Sequence, residues 1–233
     1  MNAWALSPAE WEAVVLSLQV SVVAVAVSLP FGLALGWLLA RRQFVGKTVV
    51  ETLLNLPLVL PPVVTGYLLL VACGRQSVFG QFLEQWFGVR LVFTWKGAAL
   101  AAAVMSFPLM VRSIRLAITA IDPRLEHAAR TLGARPWDAF LTVTVPLARH
   151  GIIAGIILAF ARSMGEFGAT IMIAGSIPGE TRTISLHIFN QLESPDGMQQ
   201  SVRLVVVAIL IAAMALATGE YLERSGRRKL EGG

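Results

Sequence analysis

Apolar residues run along this chain in five long blocks, separated by segments where polar, charged and turn-forming residues return. The blocks cover roughly 13–40, 49–73, 97–118, 151–174 and 203–222. A helix needs about 20 apolar residues to cross a bilayer, so the pattern predicts five transmembrane helices in an all-α polytopic bundle. The opening "MNAWALSPAEWEAVV" carries Glu10 and Glu12 but no Lys or Arg. It lacks the basic start of a secretory signal, so the first block reads as a retained span.

The blocks are not plain anchors. The first holds Gly32 and Gly36, a small-xxx-small spacing that lets helix backbones approach closely. The second reads "NLPLVLPPVVTGY". Pro57, Pro61 and Pro62 each remove an amide donor and bias the preceding residue away from helical geometry. Broken backbone at membrane depth must be covered by protein or line a water-filled cavity. The second span is therefore expected inside the bundle, with Pro61 and Pro62 as candidates for the wall of a pathway or as packing kinks. The third block, "GAALAAAVMSFP", suits tight packing up to a kink at Pro108.

Two of the intervening segments have patterns of their own. In "VFGQFLEQWFG", Phe79, Phe82, Leu83, Trp86 and Phe87 recur at helical spacing, predicting a short amphipathic helix whose apolar face meets the membrane interface or the core, or else docks a receptor. The segment 119–150 contains "IDPRLEHAARTLGARPWDAFLTVTVP". Asp122 is placed as an N-cap and Pro123 at the first helical position. Leu125, Ala128, Ala129 and Leu132 form one face, Glu126 and Arg130 an i, i+4 pair on another, and Gly133 ends the helix. A second short helix is expected from Pro136, presenting Trp137, Phe140 and Leu141. From the pattern alone, this compact pair reads either as a docking surface for another protein or as an amphipathic loop resting on the membrane.

Composition agrees with a membrane protein. Of 233 residues, 56% are hydrophobic and 14% charged, with a mean hydropathy of +0.70. A soluble domain carries roughly a quarter charged residues. Charge placement says more than the net value of +5. With the N-terminus outside, thirteen of the 19 Lys and Arg fall in inner segments, among them Arg41, Arg42, Lys47, Arg224, Arg227, Arg228 and Lys229. Only Arg75, Arg90, Lys96, Arg182 and Arg203 fall outside, so the expected orientation is N-out, C-in. The second outer segment, 177–201, is polar and carries Glu180, Arg182, Glu193 and Asp196, which reads either as a surface for reversible contact with a receptor or as a solvated connector.

Arg162 and Glu166 are the chemical anomaly, two charges within the fourth block. On one helix they can reach each other and offset the cost of an intramembrane charge, about 2.5–3.5 kcal/mol or more. Two readings stay open: a buried structural pair, or a site on a translocation path with Arg162 attracting an anion. Gly165 and Gly168 flank the glutamate and would admit a close neighbour. The single cysteine, Cys73, excludes an internal disulfide and a metal site built on cysteine pairs. His127, His150 and His187 lack metal-ligand spacing and read as ordinary surface or interface residues. No catalytic constellation, metal site or nucleic-acid surface is expected. The charges and spans alone would also fit a self-contained secondary transporter or a channel.

The inner segment is where a resemblance becomes specific. "EHAARTLGA" followed by "VTVP" resembles the EAA motif of ABC importer permeases, with Ala128, Ala129, Gly133 and Pro146 at matching spacing. Val143 and Val145 stand for the motif's Ile and Leu. His127 occupies the position of the motif's glutamate, with Glu126 one residue earlier. Together with "LPLVLPPVVTGYLLL", "SFPLMVRSIRLA", "ARSMGEFGATI" and "IPGETRTI", the chain resembles the permease subunit of molybdate importers; "GEFGA" also suits sulfate and tungstate relatives. The resemblance implies a single permease domain over 1–233 and a homodimer in the bacterial inner membrane. It also implies cytoplasmic ABC ATPase subunits that dock on Glu126, Ala128, Ala129, Gly133 and Pro146, and a periplasmic molybdate-binding protein. The chain contains no G-x-x-x-x-G-K-[ST], so ATP and Mg would be bound by the partner ATPase and this chain needs no cofactor.

Overall fold

The computed structural model describes residues 6–194 and 197–231, and side chains as far as Tyr221 except that of Gln200. Asp196 and the side chains of Arg224, Arg227, Arg228 and Lys229 lie outside the described residues. The fold is all-α. Four helical stretches are long and apolar enough to cross a membrane, or five if one sharply bent helix pair counts as a span.

Helix α1 spans Pro8–Arg41, longer at both ends than the apolar block. Its start is fixed by a capping box: the Ser7 hydroxyl accepts the Glu10 amide, and the Glu10 carboxylate accepts the Ser7 amide at 2.6 Å. Helix α5, Trp95–Thr119, runs unbroken through Pro108. It packs along α1, and the small-residue spacing explains how. A Cβ on Gly36 would lie 2.7 Å from Ile114 Cγ2, so only glycine admits the contact. Around this pair lie two apolar clusters. One joins Val20 and Ala24 to Ala98–Ala102 and Met105; the other joins Val25 to Met110, Ile114 and Ile152.

The second block is broken, as Pro61 and Pro62 predict. Helices α2 (Lys47–Val59) and α3 (Pro62–Cys73) meet at 114°. Leu60 is extended, as a residue before proline prefers, and Pro62 opens α3. The expectation that this span lies inside the bundle fails for α2, which buries none of its residues in a single chain. It holds only for the face of α3 that carries Thr65, Gly66 and Cys73. The amphipathic segment forms α4, Val78–Phe87, with Phe79, Phe82, Trp86 and Phe87 exposed along it.

The fourth block needs the largest correction. Its helix starts earlier than residue 151 and ends before residue 174. After α6 (Pro123–Thr131), a short α7 (Pro136–Ala139), a π turn (Phe140–Thr144) and α8 (Val145–Met164) form one rod from Pro136 to Met164. The rod stops at Gly165, and a separate short helix α9 covers Gly168–Ala174. Glycine is a poor helix former, and the Glu166 carboxylate takes the Ala169 amide at 2.9 Å, offering that donor a partner other than the helix ladder. The polar outer segment contains a further helix, α10 (Ile184–Leu192). The last helix, α11, spans Gly197–Glu231.

Candidate functional site

The segment 122–146 sits at the C-terminal end of α1. Asp122 Oδ1 accepts the Arg124 amide at 2.9 Å and Pro123 opens α6, as expected. The helix ends in paired backbone bonds, Ala134 to Ala129 and Gly133 to Arg130, around Gly133 at φ +98°. That left-handed conformation is what glycine supplies. The face at Leu125 and Ala128 is exposed, Leu132 is 90% exposed, and Trp137 and Leu141 continue the surface. Ala129 is half-buried.

Glu126 does not pair with Arg130 as its spacing suggested. Its Oε1 lies 3.0 Å from Arg41 Nε and accepts the Thr144 hydroxyl at 2.7 Å. The carboxylate thus points into the fold, away from the exposed face. Arg41 and Thr144 were not legible as its partners, because one is 85 residues away and the other lies on the π turn. Pro146 does not end a loop; it lies in the first turn of α8, inside the continuous rod.

The second constellation lies halfway along the bundle. Arg162 Nη1 is 2.7 Å from Glu166 Oε2, with the glutamate side chain 2% exposed and the arginine 29%. The pair expected on one helix is formed, but across a helix end: Arg162 is in the last turn of α8, and Glu166 lies in the break before α9. Ser163 beside them contacts Ser106 at 3.2 Å, near the middle of α5. The same place receives the break at Pro61 and Pro62. A Cβ on Gly168 would lie 2.8 Å from Pro62 Cβ, so the starts of α3 and α9 are in contact. Gly165, by contrast, has open space around it. Two interrupted helices therefore meet beside the partly exposed Arg162 side chain.

A third polar group ties the opposite end of the molecule. Glu10 is fully buried and pairs with Arg203 at 3.3 Å, joining α1 to α11. The Ser17 hydroxyl accepts the Ile184 amide at 2.7 Å, seating α10 on α1. Of the two expectations for His187, surface or interface, the surface one fails: the residue is buried on α10. Burial first, then the nearby Arg182, holds its imidazole below the usual value of 6.5, while Glu10 pulls the other way. A histidine whose folded pKa is lowered contributes stability that is complete above the unfolded value. That contribution is lost as pH falls below about 6.5. Between pH 7.5 and 5.5 the thermal midpoint of the purified protein should therefore fall more than that of His187→Gln. Equal slopes would contradict this.

A family model for the binding-protein-dependent transport system inner membrane component matches residues 32–225. The chain belongs to that family. The permease is similar to the molybdenum transport system permease protein ModB of Escherichia coli (strain K12), with 54% identity over 224 residues, 96% of this chain and 98% of the relative. It is 36% identical over 201 residues to the sulfate transport system permease protein CysT of the same strain, 85% and 71% of the two chains. The crystal structure of a bacterial ABC transporter involved in the import of the acidic polysaccharide alginate shares the fold. Its TM-score is 0.68 over 96% of this permease and 80% of that chain, at 18% identity. Membership makes this protein a multi-pass permease subunit of an ABC importer in the bacterial inner membrane, working with an ATPase and a periplasmic binding protein. It displaces the stand-alone secondary transporter considered from charges and spans alone. Hydrolysis of ATP belongs to a separate subunit.

Proposed function

We propose that this permease carries molybdate into the cytoplasm, as a homodimer above two ATPase subunits and beneath a molybdate-binding protein. The observation that carries the coupling part is the continuous rod Pro136–Met164, which runs from the exposed α6–α7 surface to the Arg162–Glu166 break. One continuous element of this kind, held at its base, can pass a push at the surface to the middle of the bundle. The substrate rests on the greater similarity to a molybdenum permease than to a sulfate permease. In this reading residues 1–233 form one permease domain with five spans, N-out and C-in, the α2–α3 pair counting as one. The ATPase docks on Leu125, Ala128, Ala129, Leu132 and Trp137, and residues 177–201 help receive the binding protein. Arg162, Glu166, Pro61 and Pro62 lie beside the path.

Energetics favour coupling to ATP. Moving a dianion inward against a potential of ~100 mV costs about 4.6 kcal/mol. A hundredfold accumulation adds about 2.8 kcal/mol. A passive pore cannot supply either. Uptake into vesicles by the reconstituted permease, ATPase and binding protein tests the reading, with tungstate and sulfate as competitors. ATP-dependent molybdate uptake is expected only in the complete assembly. Preferential competition by sulfate would move the assignment to a sulfate importer.

Gly133→Val tests the docking loop. Its space is open, so the cost is strain in the left-handed conformation, about 1 kcal/mol or more. The variant should fray the end of α6 and either lose ATPase on purification or hydrolyse ATP without uptake. Gly133→Asn, which tolerates the left-handed region, should retain most function. Normal uptake by the valine variant would remove the loop from the mechanism.

A further inference from the structure

We infer that Arg41, Glu126 and Thr144 form a pin that fixes the coupling helix to α1 and to the base of the rod, so that its displacement moves both together. The inference rests on the proposal that the α6–α7 surface meets the ATPase. Three elements converge on one carboxylate oxygen. Glu126 Oε1 lies 3.0 Å from Arg41 Nε at the end of α1 and accepts the Thr144 hydroxyl at 2.7 Å. Arg41 Nη1 also donates to the Ile121 carbonyl at 3.0 Å, holding the backbone just before α6. The side chains of Arg41 and Glu126 are only 10% and 18% exposed, and Thr144 is fully buried. Thr144 closes the π turn, whose first residue, Phe140, packs edge-on against Trp37 of α1 at 6.1 Å. A π turn interrupts the regular i→i−4 ladder, so the rod needs outside support where it begins.

Most of α6 has no such support, since it buries no residue of its own. The charged pin therefore decides whether α6 moves with the bundle or swings alone. Glu126 is a positioning residue in this account, not an ATPase contact, although it falls beside the motif position assigned to docking. His127, exposed on the surface, occupies that position instead.

The test is a double-mutant cycle on Arg41→Gln and Glu126→Gln, run in the full complex for transport and in the permease alone for label mobility. It has two readouts: ATP hydrolysed per molybdate taken up, and the mobility of a spin label at Leu132→Cys in the permease without its ATPase. Each single variant should raise label mobility and raise the ATP cost of uptake about tenfold, a typical size for coupling between sites. Each should also retain its ATPase on purification. The double variant should be no worse than either single one, because both remove the same pin. Thr144→Val should give a smaller change in the same direction. Additive effects, unchanged label mobility, or loss of ATPase by Glu126→Gln alone would overturn the inference, the last by making Glu126 a direct contact. A wild-type complex without ATP-dependent molybdate uptake would strike the proposed transport function, while label mobility in the cycle would still decide whether the pin exists.

Discussion

Gly66→Ala is expected to cost the permease most of its transport-competent form. A Cβ at this position would lie 2.6 Å from the Ala169 carbonyl oxygen, 2.7 Å from Ala169 Cα and 2.8 Å from Met172 Cβ. Two of these atoms are backbone, so no rotamer change relieves the contact and α3 must shift away from α9. Overpacking of this kind costs about 1–3 kcal/mol in cores able to adjust. Here there is little else to hold α3, whose buried residues are Thr65, Gly66 and Cys73. The shift would part the contact between Pro62 and Gly168 and open the meeting point of the two broken helices. Thermal stability in detergent should fall by several degrees and uptake should be lost. Gly165→Ala is the control: nothing lies within 4 Å of its Cβ, so stability should stay near wild type. Comparable loss in both variants would remove the close-approach argument.

The long helices were legible because hydropathy is a property of consecutive residues, and α1, α5 and α11 are simply long enough. The proline pair was legible too, since Pro61 and Pro62 act on their own backbone. So was the start and stop of α6, where Asp122, Pro123 and Gly133 each act within a turn. The break at Gly165 was not. Residues 151–174 stay apolar on both sides of it, and hydropathy does not register a change of direction. At the break a glycine stands where α8 ends and the Glu166 carboxylate takes the Ala169 amide, which the spacing of Arg162 and Glu166 concealed by suggesting an unbroken turn. The polar ties were hidden for another reason. Arg41 with Glu126 and Glu10 with Arg203 join residues far apart in sequence; the two arginines read only as orientation signals, Glu126 as a partner of Arg130, and Glu10 only as part of an opening without basic residues. The same spacing rule that places Glu126 four residues from Arg130 gives no weight to a partner brought in by packing.

At Arg162 a loss of transport without a loss of stability is expected, and the structure changes how it must be measured. Exchanging the two charges would put a cation where Glu166 now accepts the Ala169 amide, so that variant would fail for structural reasons under either reading. Glu166→Gln keeps an acceptor for that amide and leaves Arg162, 29% exposed, with access to water. Arg162→Gln instead strands a buried carboxylate, and breaking a buried pair in this way costs about 3–5 kcal/mol. Arg162→Gln should therefore be the less stable single variant, and the double neutral variant should recover stability, since neither charge is left alone. Transport separates the two roles. If the pair serves only the fold, the double variant should carry molybdate nearly as well as wild type. The partly exposed Arg162 side chain beside two interrupted helices favours the other outcome. The double variant should assemble with its ATPase and melt near the wild-type temperature, yet lose at least tenfold in uptake, about 1.4 kcal/mol or more of interaction with the passing dianion. Arg162→Lys, which keeps the charge but not the planar fork, should fall between them. Full uptake by the double neutral variant would reduce the pair to a structural tie between α8 and α9.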